Sequence, residues 1–373
     1  MRVLHIITGL GLGGAEGVLY RLVLNDKENE SIIISLSGES YYSDLFTCLG
    51  IKVYYLNMSP KGLNLRCIVD LIILIKKISP DVVQTWMYHA NFLGGIITFL
   101  FFRKNIFWNL RATHVRSSRN LRFHLFIKLS AILSYCVPCK VICCSESVKL
   151  NHEKLGYDKN KTVVINNGYD LERFKFNVKS REAQRSKFKL TDDLKVFGMA
   201  ARFHPQKDFD NLLKSFQILK LRGYHKFRLL LAGENITTNN TELLKIIKQY
   251  DLSENVLLLG IQGNIVEFMN TIDVYVSSSA FGEGFPNVLA EAMACEIPCI
   301  TTDVGEAKDL VRKEGWVVPT QMPGLLAEAI IKAILGMENK VEWQKRKDEC
   351  RKIIADNYTL SKMVSEYLLG WSK

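Results

Sequence analysis

Two parallel, doubly wound α/β domains are predicted by three observations. Short apolar runs of strand length alternate with longer amphipathic windows along the 373-residue chain, and a polar, basic stretch at 175–190 interrupts the alternation once. The composition, 48% hydrophobic and 23% charged, is that of an ordinary globular protein. The expected domains are 1–175 and 176–373, with the polar stretch as the hinge between them.

Taken in order, residues 3–7 (Val-Leu-His-Ile-Ile) form a first strand running into a glycine loop, and 15–24 carries the apolar spacing of a helix. Apolar runs at 32–36, 53–56 and 82–86 predict the next strands, with a helix at 65–78 before the last of them. Strands follow at 107–110, 141–144 and 163–165, and a helix at 122–133. Beyond the polar stretch the predicted strands are 196–200, 227–231, 256–259, 274–277 and 299–301. The helices between and after them are 211–221, 242–249, 287–294 and 325–334, and then 342–354 and 360–369 without intervening strands.

The formal charge is +11, and residues 1–180 hold 23 basic and 13 acidic side chains, so nearly all of the excess lies in the first domain. Residues 82–145 contain no Asp or Glu but eight basic residues, among them Arg111, Arg116 and Arg122, which predicts an anionic partner. Nucleic acid is disfavoured, because the aromatic residues there lie in apolar runs and do not alternate with the cations. An anionic membrane surface beside the apolar segment 92–102 fits better. That segment is about half of the ~20 residues that cross a bilayer, and no small-residue cleavage site follows the first strand, so a cytosolic chain without a spanning helix is expected. Nine cysteines, including the adjacent Cys143 and Cys144, do not form a disulfide framework and are expected as reduced core residues. Cys136, Cys139 and Cys143 imitate a zinc knuckle, but no His lies at ligand spacing, so no metal is expected.

Gly9, Gly11 and Gly14 satisfy the dinucleotide fingerprint G-x-G-x-x-G, yet the second strand ends without the acidic residue that would hold a ribose. A nicotinamide oxidoreductase is therefore disfavoured. What remains is a backbone loop, including Gly13 and Gly14, that suits a phosphate or oxyanion at a helix start; a plain tight turn is the alternative. In the second domain Arg202 and Lys207 flank a proline turn. A forked guanidinium beside a mobile ammonium suits neutralising a diphosphate. Phe281-Gly282-Glu283-Gly284-Phe285-Pro286-Asn287-Val288-Leu289-Ala290-Glu291 starts a helix at its proline, so the N–H groups of Asn287 and Val288 make an anion site, and Glu283 and Glu291 are two separate acceptors for vicinal hydroxyls. Gly233 and Gly260 end strands and suit either a base-binding shelf or plain turns.

Gly13-Gly14-Ala15-Glu16, Arg202 with Lys207, and Glu283 with Glu291, in that order and spacing, resemble the retaining GT-B glycosyltransferases of family four. Asn167-Gly168-Tyr169-Asp170 is similar to the family's Asn-Gly-x-Asp segment. The resemblance implies two Rossmann-like domains facing a central cleft, with C-terminal helices packing back toward the first. It implies sugar transfer, with retention, from a nucleotide-diphosphate donor to a saccharide or lipid-linked acceptor, in bacterial surface-polysaccharide or lipopolysaccharide synthesis and without metal or cofactor. By position, Arg202 and Lys207 would hold the diphosphate, Glu291 the ribose, and Glu283 with the backbone of Gly284 and Phe285 the sugar, with Gly13, Gly14 and Gly260 on the donor side. The family's His falls at Arg111, Ala112 or His114, and His114 is the choice; His89, Arg111 and Arg116 are acceptor-side candidates. A sugar-nucleotide epimerase on the same scaffold is the alternative activity.

Overall fold

Residues 2–7 place five buried side chains in a row, a pattern that only a strand covered on both faces can satisfy. This strand, β1 (Arg2–Ile7), is an interior strand of a seven-stranded parallel sheet of order β3-β2-β1-β4-β5-β6-β7. The computed structural model describes residues 1–58, 65–113 and 121–372. By its internal contacts the chain divides into two units, Met1–Gly168 with Leu360–Lys373, and Tyr169–Thr359.

In the first unit β1 is followed by α1 (Gly14–Asn25), β2 (Glu30–Ser35), α2 (Tyr41–Cys48), β3 (Lys52–Tyr55), α3 (Leu65–Ile78) and β4 (Val82–Trp86). Then come α4 (Met87–Phe102), β5 (Asn105–Leu110), α5 (Leu121–Leu133), β6 (Lys140–Cys143), α6 (Glu146–Lys154) and β7 (Thr162–Val164). One side of the sheet packs Leu4, Ile6 and Ile34 against Leu71 and Ile75 of α3 and Leu93 and Ile97 of α4. The apolar segment at 92–102 is therefore the inner part of a core helix, and it lies close to the sheet because Gly95 has no side chain: a Cβ there would fall 2.4 Å from the Trp108 ring nitrogen. The other side packs Val3, Ile7 and Ile33 against Leu19 and Leu22 of α1 and Phe46 of α2.

The second unit begins with α7 (Val178–Lys187), β8 (Lys195–Ala200), α8 (Phe209–Leu221), β9 (Phe227–Ala232), α9 (Thr241–Gln249), β10 (Val256–Leu258) and α10 (Ile265–Thr271). It continues with β11 (Val274–Ser277), α11 (Asn287–Ala294), β12 (Cys299–Thr302), α12 (Ala307–Val311), β13 (Trp316–Val318), α13 (Pro323–Gly336) and α14 (Lys340–Asn357). Its six strands are parallel in the order β10-β9-β8-β11-β12-β13. Phe197, Phe216 and Phe227 lie at the core with Leu212, Leu229 and Ile330. The chain ends in α15 (Leu360–Trp371), whose Tyr367 and Trp371 join the core of the first unit.

Two expectations change. The polar stretch at 175–190 is not a free hinge but contains α7, whose charges serve the second unit: Arg181 and Arg185 both pair with Asp273, and Arg185 also donates to the carbonyls of Thr191 and Leu194 at 3.1 Å. By internal contacts the division falls within the Asn-Gly-Tyr-Asp segment, after Gly168, and α15 belongs with the first unit. The cysteines form no disulfide, and Cys67, Cys143, Cys144, Cys295, Cys299 and Cys350 are buried; Cys48, Cys136 and Cys139 are exposed and are not core residues.

Candidate functional site

In the second unit the predicted polar residues come together at the C-terminal ends of β8 and β11, the end where open parallel sheets bind ligands. After β8, Pro205–Lys207 forms a single tight turn and Asp208 takes a left-handed backbone (φ 47°), its carboxylate accepting from the N–H of Asn211 to cap α8. That turn aims Lys207, whose ammonium pairs with the Glu283 carboxylate. The same Glu283 oxygen accepts from the Ser279 hydroxyl at 2.8 Å. Ser278 holds the other side of the arrangement, donating to the Lys207 carbonyl at 2.7 Å. Thr302 on β12 donates to the carbonyl of Ser279 at 2.6 Å, and the Ala280 N–H to that of Gln206 at 2.8 Å. Gly305 allows the closest approach: at φ +61° its missing Cβ would lie 2.2 Å from the Glu283 carbonyl oxygen.

Arg202, just beyond β8, is exposed and has no acidic partner among the described residues. Pro286 is the N-cap of α11 rather than its first residue, so Asn287 and Val288 open the helix ahead of its own hydrogen bonds. The Asn287 side chain accepts from the Tyr169 hydroxyl at 2.6 Å. Glu291 is buried on the same helix, one turn further along. Phe285 has its side chain in the core, stacked on Tyr169 and edge-on to Tyr358, which leaves its backbone for a ligand. Gly260 donates its N–H to the Ile236 carbonyl and accepts from the Gly233 N–H, which ties together the segments that follow β9 and β10.

The first unit brings fewer predicted residues into reach. Gly13 caps α1, and Gly13 and Gly14 are exposed at its start, where an anion is favoured. His89, in the first turn of α4, stacks on Phe126 of α5, and desolvation lowers its pKa. Arg111 is held internally: it donates to Asn167 and, at 2.8 Å, to the Tyr367 hydroxyl, with its guanidinium 5.0 Å above the Trp86 ring. Its cation serves to fasten α15 to the end of β5, which is why it does not stand open as an acceptor contact. His114 and Arg116 lie outside the described residues. Sequence reasoning missed Ser279 and Tyr367. The run of three serines ending β11 was a signal for the first, whereas Tyr367 meets Asn109 from 258 residues away and gave none.

No group of three or more metal-capable side chains is gathered among the described residues. Nor does any helix among them have the length and apolarity to cross a membrane.

Residues 180–349 match the family described as glycosyl transferases group 1, and residues 12–173 match glycosyltransferase family 4. The chain is 28% identical over 280 residues to a capsular polysaccharide biosynthesis glycosyltransferase, CapM, of Staphylococcus aureus, covering 73% of this chain and 72% of that one. It is 24% identical over 357 residues, 93% and 89% of the two chains, to an Escherichia coli enzyme named as a UDP-Gal:alpha-D-GlcNAc-diphosphoundecaprenol alpha-1,3-galactosyltransferase. The fold is that of Anabaena HepE, solved in complex with UDP-glucose, at a TM-score of 0.87 and 18% identity over 100% of this chain and 99% of that one.

Proposed function

The chain belongs to the group 1, family 4 glycosyltransferases, and on that premise we propose that Arg202 and Lys207 hold the diphosphate of a nucleotide-sugar donor while Glu283 receives the sugar. The observation that carries this reading is the Lys207–Glu283–Ser279 cluster just ahead of α11, with Arg202 exposed on the same β8–α8 connection as Lys207. A lysine already paired with a carboxylate keeps its position without a ligand, and a diphosphate then competes for it with more oxygens and more charge. Glu283, once released, is an acceptor for a sugar hydroxyl, and Glu291 for the ribose. The α11 amides add N–H donors.

Transfer proceeds with retention in this reading. The acceptor hydroxyl oxygen attacks the anomeric carbon from the side that the diphosphate leaves. The bond from that carbon to the phosphate oxygen breaks, and the acceptor proton passes to the departing phosphate. Products are the glycoside and the nucleoside diphosphate. The protein's part is to meet the charge growing on the leaving group with fixed cations and N–H groups, which are worth most in a site with little water. UDP-sugars are the first donors to try, because HepE binds UDP-glucose, and a diphosphoundecaprenol-linked sugar is the first acceptor class, because the Escherichia coli relative is named for one. The relatives are transferases, which favours transfer over the epimerase alternative.

A thermal-shift screen against nucleotide sugars tests the donor assignment. Stabilisation by at least one nucleotide-diphosphate sugar, lost in Arg202→Ala, is expected; no response to any of them counts against it.

A further inference from the structure

The helices that cover the first unit present different surfaces to solvent. On α6 and α15, exposed Leu150 and Leu369 are interspersed with Glu146, Lys154, Ser361 and Ser365. On α5 every exposed position among its described side chains is apolar or basic: Leu125, Lys128, Leu129 and Ile132, a spacing of three and four that lines one face, continued by Tyr135. Leu125 and Ile132 are 68% and 67% exposed. The inward side of α5 is used, with Phe126 packed against His89 and Phe92 of α4.

The same character runs across the layer. On α3, Leu65, Val69 and Ile73 are exposed four residues apart, with Lys76 and Lys77 following, and α4 ends in exposed Leu100 and Phe101 ahead of Arg103. In all of α3, α4 and α5 the single carboxylate is Asp70, which pairs with Arg66 at 3.9 Å.

A band of exposed leucine-sized side chains edged with cations and nearly free of carboxylates has the chemistry of a surface that meets an anionic bilayer: apolar side chains enter the boundary between headgroups and acyl chains, and cations meet phosphates. A second copy of the chain fits less well, since a two-fold contact would set these lysines and arginines against themselves. We propose that the outer face of α3, α4 and α5 docks on an anionic membrane, with the α5 stripe lying in the plane of the interface. The segment at 92–102 is mostly core, so it contributes only its last turn. This inference deepens the reading that the acceptor is lipid-linked, and it supplies the surface that would keep the enzyme beside such an acceptor.

The test is co-sedimentation with vesicles of phosphatidylcholine alone and of phosphatidylcholine mixed with phosphatidylglycerol. The protein is expected to bind the anionic vesicles and not the neutral ones, and to be released by salt. Leu129→Asp together with Ile132→Asp, both on the exposed face, should weaken binding ~10-fold or more, and Leu369→Asp, exposed on α15 at the other side of the sheet, should leave it unchanged. Circular dichroism checks that each variant is folded, and Lys128→Ser is the milder second variant, expected to weaken binding to the anionic vesicles and to make it less dependent on salt. Equal binding to both vesicle types, no binding to either, or a folded double variant that binds like wild type overturns the proposal. So does a dimer in sedimentation velocity that the double substitution dissolves. The thermal shift with UDP is read on the same preparations. A UDP response without vesicle binding overturns the membrane surface alone, and vesicle binding without response to any nucleotide overturns the donor assignment alone.

Discussion

The two units are built on the same plan of parallel strands and covering helices, but they use their polar residues differently. In the second unit, Lys207, Glu283 and Ser279 stand at strand ends and bond to one another through side chains that a ligand can rearrange. In the first, Arg111, Asn109 and Asn167 also stand at or beyond strand ends, yet they are bonded to Tyr367 or to each other and hold the unit closed on its own last helix. The buried histidines sharpen the contrast. His5 accepts from the Trp86 ring N–H, and its other ring nitrogen has no partner; His152 lies between the Tyr88 hydroxyl and the Val148 carbonyl. The second unit's His204 and His225 are exposed. A charged residue at a strand end therefore indicates a ligand only where the chain does not itself supply its partner.

The largest effect is expected at the second unit's cluster. Lys207→Ala should lower turnover per folded molecule on the order of 10²–10³-fold, as loss of one preorganised donor to a developing charge does. Activity close to wild type would erase the difference between the units.

Arg111→Ala should do the reverse. Removing charged hydrogen bonds from a partly buried position costs roughly 1.5–3 kcal/mol, measured by denaturant unfolding. Turnover per folded molecule should stay within about threefold of wild type, since no ligand contact is lost. A stable variant with collapsed activity would return Arg111 to the acceptor.

Acid should also separate the units. Burial holds His5 down to about 3 and His152 to about 4, against about 6.5 for an unburied histidine. Each stays neutral in the folded chain while the unfolded chain takes up a proton. Stability from these residues is therefore full above about pH 6.5 and is lost as pH falls from there toward about 3–4. Hydrogen exchange in β1 and α6 should quicken over that window before exchange in β8 and β11, and simultaneous loss would count against the contrast. The smallest expected effect is that of EDTA: turnover should be unchanged, because Arg202, Lys207 and the α11 amides supply the positive charge. A reproducible loss restored by a divalent ion would show that they do not suffice.

Much of this was legible in the sequence, and the exceptions have physical causes. Buried parallel strands are nearly continuous apolar runs, so 82–86 and 274–277 were readable to the residue. The shorter β13, only three residues, and α10, only seven, offered too little periodicity to register. The basic residues of α7 resembled a linker because their partner, Asp273, is almost ninety residues away. The Lys207 turn and the Glu283 loop were legible because glycine and proline mark them locally. The fastening of Arg111 was not, because both of its partners come from other parts of the chain.

The most direct test of the central claim is hydrogen exchange measured with and without UDP. The account predicts protection at 202–208 and 281–291, and none at 109–111. Protection confined to the first unit, or absent from both second-unit segments while UDP is bound, would contradict it.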